Sequence, residues 1–126
     1  MKQYITLVGA LIVVIVLNCI QVTFLKNTGT NMLNTLNTIA SNIEEEKFVE
    51  AKEQADELKK EWEKVKVRWD ILTEHDDVEE LESHLASIDM YIRNEEKTDG
   101  QVEVAVLKQR IAHIIQNETL SFATIF

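Results

Sequence analysis

For its first turns the chain shows no alternation of apolar and polar positions. ITLVGALIVVIVLNCIQVTFL, from Ile5 to Leu25, is 21 residues without a charge. As a helix at about 1.5 Å per residue it covers roughly 30 Å, the thickness of a bilayer's hydrocarbon core. Beyond it, apolar residues return every three or four positions. Met32, Leu33, Leu36, Ile39 and Ile43 stripe the Asn- and Thr-rich stretch 26–42, which predicts helix with one apolar face. Asn27-Thr28-Gly29 is the expected break, and Ser41 with Glu44 matches a capping box that opens a fresh helix. From Phe48 the steps become strict. Phe48, Ala51, Ala55, Leu58, Trp62, Val65, Trp69 and Leu72 make a heptad seam with charges between them. Glu57–Lys60, Glu61–Lys64 and Glu63–Lys66 are spaced to pair on its solvated faces. Glu74-His75-Asp76-Asp77 ends that helix and starts the next, whose seam is Val78, Leu81, Leu85, Ile88 and Ile92. NEEKTDG, residues 94–100, reads as a turn before a third seam of Val104, Leu107, Ile111 and Ile114. Leu120, Phe122, Ile125 and Phe126 form an apolar tail.

The pattern predicts an all-α protein: an N-terminal transmembrane helix followed by an antiparallel helical bundle with one long amphipathic helix and two shorter ones. The divisions are an anchor at 1–26, a juxtamembrane helical connector at 27–43 and an acidic bundle domain at 44–126. The long helix, about 28 residues, outreaches partners of about 17, so part of its seam needs another cover. The stripe at Met32–Ile43, a second copy of the chain or another protein could supply it.

Composition sharpens this picture. There is no proline and there are only three glycines, which favours long helices. All 22 acidic residues lie from Glu44 onward, while Lys2 and Lys26 are the only bases before it. So acidic a domain repels phosphate backbones, and nucleic acid is excluded as a partner. The single cysteine, Cys19, lies in the apolar run. A lipoprotein site needs small residues just before the cysteine, where this chain has Leu17-Asn18. A cleaved leader needs a shorter core and a small-x-small site, which KNTGTN does not offer. The run is therefore read as an uncleaved anchor holding residues 5–25 in the bilayer. Lys2 and the amino terminus precede it, and only Lys26 follows closely. The positive-inside rule then predicts a cytoplasmic N-terminus and an extracytoplasmic C-terminal domain in the cell membrane.

Asn18 and Gln21 share a helix face with Val14 and Leu25. Amides facing lipid need partners. Either they bond another transmembrane helix, making these four residues a membrane-partner interface, or water and headgroups satisfy them at the outer end of the span. A second candidate interface comprises Phe48, Leu58, Trp62, Val65, Trp69 and Leu72 of the long seam, with Leu120, Phe122, Ile125 and Phe126 of the tail. Candidate chemistry is sparse. Glu74-His75-Asp76-Asp77 with Glu79 and Glu80 is rich in oxygen but lacks a glycine-shaped loop, and acids collect at helix starts for dipole reasons. His84 falls on the opposite helix face from His75. No nucleophile motif, phosphate loop or paired acid and base stands out. The chain is read as non-enzymatic, with no cofactor and no metal.

Trp62 and Trp69, His75-Asp76, Tyr91-Ile92, Leu107, His113-Ile114 and the ending Ile125-Phe126, all behind an N-terminal anchor, form a pattern that resembles the small Firmicutes family called domain of unknown function 4363. The family usually has asparagine before the final Ile-Phe pair, and this chain has Thr124. The resemblance implies no established activity. It implies company with YetF-type multi-span membrane proteins of spore-forming bacteria, and a place in the cell membrane or the spore membrane. The expected function is an accessory subunit of such a protein. A single-pass coiled-coil protein that homodimerises through Phe48–Leu72, and a ligand-sensing ectodomain, are the competing readings.

Overall fold

The computed structural model describes residues 1–125, apart from the side chains of Phe122 and Ile125. Helices α1 (Lys2–Glu44), α2 (Phe48–Leu72), α3 (His75–Arg93) and α4 (Lys97–Ile125) succeed one another, with no strand among the described residues. The chain is thus all-α, with a long apolar N-terminal helix and an antiparallel bundle. Each helix packs on two others in the ring α1, α2, α3, α4.

The expected break at Asn27-Thr28-Gly29 is absent, and α1 runs through it. Asn and Thr are indifferent helix formers, but packing on both flanks overrides that preference. Thr28 turns its hydroxyl back to the Phe24 carbonyl at 2.8 Å. Gly29 is buried, and a methyl group there would collide with the tip of Ile115. Its missing side chain lets α4 come close rather than ending the helix. The connector stripe therefore belongs to the bundle: Met32, Leu36, Ile39 and Ile43 are all buried. Of the three covers considered for the long seam, this stripe is the one in place. Phe48, Val65 and Leu72 are half-buried, while Ala51, Ala55, Leu58, Trp62 and Trp69 are buried.

The capping box at Ser41 does not form. Ser41 stays helical, α1 ends at Glu44, and α2 starts after Lys47 without a side-chain cap. Two matching turns close this end of the bundle. Glu46 has φ 57°, with its N–H donating to Ile43 and that of Lys47 donating to Asn42. Glu95 has φ 53°, with its N–H donating to Ile92 and that of Glu96 donating to Tyr91. Both are Schellman turns that satisfy the last carbonyls of a helix. Each places glutamate where glycine is usual, a strain of about 1–2 kcal/mol. The turn expected at 94–100 shrinks to Asn94–Glu96, and α4 extends through the apolar tail to Ile125. At 29 residues it outruns α3 by far.

The core is one cluster, from Leu25 at one end to Ile43, Ala51 and Ile92 at the other. Trp62 and Trp69 meet edge to face, centroids 5.8 Å apart, a contact worth about 0.5–1.5 kcal/mol beyond burial. Of the expected surface pairs, Glu63–Lys66 closes to 3.7 Å, and Lys66 reaches across to Glu82 of α3 at 3.3 Å.

Candidate functional site

The bundle has two unlike ends. The distal end holds the paired turns. The proximal end is where α1 emerges as a bare apolar rod. From Tyr4 to Val14 every residue is exposed, and α1 holds an apolar stretch long enough to cross a membrane in which no residue is buried. That makes the first half of α1 a candidate membrane span.

At the junction, α2 clasps α1 with its last two turns. The Trp69 indole N–H donates to the Thr28 hydroxyl at 2.9 Å, and that hydroxyl in turn donates to Phe24. A buried indole needs such a partner, and without it the N–H would be stranded in the core. One residue earlier, the Arg68 guanidinium lies 3.8 Å over the Phe24 ring and donates to Gln21 Oε1 at 3.3 Å. Stacking of this kind suits arginine's planar cation. Gln21 is thus tied to α2. Asn18 donates from Nδ2 to the Val14 carbonyl in its own helix, at 2.9 Å. Leu25 is buried in the bundle, which removes it from any membrane-facing surface, whereas Val14 remains exposed. The four residues grouped by helical spacing therefore divide: Leu25 and Gln21 serve the chain's own packing, and Val14 and Asn18 stay on the rod.

Acidic groups ring the same junction. His75 opens α3 and bridges Asp70 Oδ1 at 2.7 Å and Glu79 Oε1 at 3.1 Å. These carboxylates, Asp70 first through its hydrogen bond, raise the pKa of the exposed imidazole above its ordinary value. Glu74 is the N-cap of α3 by position, but its side chain makes no capping bond. Burial, then the neighbouring Asp77 and Glu74, raise the pKa of Glu118 on α4. Among the described residues no three His, Cys, Asp or Glu side chains are grouped to hold a metal ion. Farther along, His84 Nδ1 meets Glu103 between α3 and α4, and Arg110 pairs with Glu80 at 2.7 Å. These links fix the α3–α4 register.

A groove of about 280 Å³ runs between α2 and α3, floored by Trp62, Leu58 and Leu85. The Trp62 indole donates to Glu82 at its edge, at 3.2 Å. Trp62 and Trp69 thus serve as core with satisfied N–H groups. Leu120 of the tail is 56% exposed. The assignments made to Phe122, Ile125 and Phe126 concern side chains that lie outside the described residues.

Arg68, Phe24 and Thr28 were not among the sequence candidates. The available signal was Trp69, since a tryptophan on a buried seam demands an acceptor from a neighbouring helix. Residues 19–125 match the model of the family described as Domain of unknown function (DUF4363), and the chain belongs to that family. No curated protein and no solved structure matches it.

Proposed function

From membership of that family, we propose that the chain is a non-enzymatic, membrane-anchored accessory subunit. Its α1 crosses the bilayer through residues 5–25, with the N-terminus cytoplasmic and the bundle outside, in the cell or spore membrane. It docks on a multi-span membrane protein of the YetF type. The observation that carries the reading is the contrast in satisfaction along the chain. The bundle's four seams are filled by one another, while the rod offers Val13, Leu17 and Ile20, each more than half exposed, to a bilayer or another transmembrane helix. With Gln21 and Leu25 engaged inside the chain and Asn18 partly covered, the partner-facing flank is assigned to Val14 and these exposed neighbours. Van der Waals packing drives such helix pairs in lipid. The Phe48–Leu72 seam packs on α1 and α3 of the same chain, which favours the subunit reading over the homodimer.

Purification of the tagged full-length protein from its native membrane in mild detergent, with mass spectrometry of the eluate, tests this. A multi-span protein recovered in fixed stoichiometry is the expected result. Recovery of the chain alone, as a defined oligomer, overturns the subunit reading.

A further inference from the structure

The length of α4 against α1 has a consequence for where the bundle sits. The two helices run antiparallel, with Gly100 against Ile43 at the distal end and Gly29 against Ile115 nearer the proximal end. Continuing that register at equal rise per residue sets Leu120 level with Phe24, and Ile125 level with Cys19. The charge-free run of α1 reaches Leu25. The last turns of α4 therefore lie beside the candidate span, overlapping it by about 9 Å.

Three further features fit an apolar surrounding there. After Glu118 the sequence TLSFATIF carries no charged side chain. The hydroxyls of Thr119 and Thr124 donate to the carbonyls of Ile115 and Leu120, each at 2.8 Å, so neither depends on water. Asn18, Gln21 and Val22 are partly covered, while Leu17, Cys19 and Ile20 around them are exposed, as expected if α4 shields one flank of the rod. Among the described residues, the backbone of no other helix is placed at that level, and from α2 the Arg68 side chain reaches Gln21. Trp69 bonds Thr28, so α2, which ends at Leu72, stops near Leu25, and α3 starts there. The outward face of the tail, with Leu120 and Ala123, is left exposed. Lys26, Asp70 and Glu74 come from positions above that level, where headgroups would meet them, while the Arg68 guanidinium reaches down over the Phe24 ring to Gln21, its charge held by the ring face and the amide oxygen.

We propose that α4 from Thr119 to Ile125 lies within the bilayer, against the acyl chains just beneath the headgroups, so that the bundle is seated in the membrane rather than standing above it. The occupant of the exposed face is lipid. This rests on the reading of α1 as a membrane span, and the test separates the two.

Cys19 is free and exposed, so Cys19→Ser provides a background for single cysteines at Val13, Ala123 and Glu95. Each full-length variant is labelled with a small fluorophore and reconstituted into phosphatidylcholine vesicles. Lipids carrying a nitroxide high or low on the acyl chain then act as quenchers. A melting temperature matching the Cys19→Ser parent establishes that each variant is folded. The label at Ala123 is expected to lose most of its emission to the shallow nitroxide, the label at Val13 to both, and the label at Glu95 to neither. Quenching at Val13 without quenching at Ala123 overturns the proposal and leaves the anchor standing. Absence of quenching at both positions overturns the spanning reading, and the proposal with it.

Discussion

Residues 4–20 and 25–43 of α1 are stretches of one uninterrupted helix, yet they spend their apolar side chains differently. In the first stretch these side chains circle the axis, and the large ones from Tyr4 to Ile20, apart from the partly covered Ile15, are about half exposed or more. In the second they keep to one line, Leu25, Met32, Leu36, Ile39 and Ile43, each at most 3% exposed, with Asn and Thr on the other faces. Mean apolarity does not separate a lipid-seeking helix from a core helix as well as angular distribution does. A helix that is greasy all round has no dry side to offer a bundle without leaving the rest stranded.

The contrast can be broken most sharply by truncation on both sides. Leu36→Ala should destabilise the bundle by about 2–5 kcal/mol, read in detergent by denaturant unfolding of the Trp62 and Trp69 fluorescence. Val13→Ala should stay within about 0.5 kcal/mol of the parent. Equal losses would mean that the rod shares the bundle's cooperative unit. The two glycines of α1 make a subtler pair. Gly29→Leu overpacks the α1–α4 contact and should cost about 1–3 kcal/mol, part of it recovered by Ile115→Ala in the same chain. Gly9 has open space around it, so Gly9→Leu should leave bundle stability unchanged, and a comparable loss there would defeat the distinction.

The smallest effect concerns pH at the junction. The raised pKa of Glu118, caused by burial and then by Asp77 and Glu74, means that the folded chain holds this proton more tightly than the unfolded one. Its contribution is fully present below the ordinary carboxylate pKa and is lost as pH rises through the raised value. Glu118→Gln should therefore flatten the decline of melting temperature across that acidic window. His75 is also raised, so its share persists below its ordinary pKa of 6.5 and fades as pH climbs through the raised value, a separate and higher window. A Glu118→Gln profile that parallels the parent from acid to neutral pH would show that the carboxyl is solvated in solution.

Much of this architecture was legible in the spacing of apolar residues. The seams of α2, α3 and α4 stand at the predicted positions because a heptad stripe has only one way to hide. The errors lie where local chemistry and packing compete. Asn27-Thr28-Gly29 has the composition of a loop, but Gly29 answers to Ile115, a residue 86 positions away that no local pattern signals. Ser41 and Glu44 satisfy a capping formula, yet the helix passes through Ser41 because Ile39 and Ile43 are already committed to the core. At the junction, helical spacing grouped Gln21 and Leu25 with Asn18 and Val14. It carried no information about Arg68 and Trp69, which arrive from another helix and decide which of those four remain free.

With no proline, no glycine-rich linker and no break between rod and bundle, α1 transmits torque. Rod and bundle share one continuous helix, so neither swivels about the other without bending α1. Residues 26–44 extend about 27 Å past the apolar run, so a tilt change of about 10° swings the distal turns by roughly 5 Å. With the first half of α1 in a bilayer, as proposed, any protein that rolls or re-tilts it thereby moves the Glu46 and Glu95 turns as the tip of a lever. Conversely, a load applied at that tip reaches the rod without being lost in a joint.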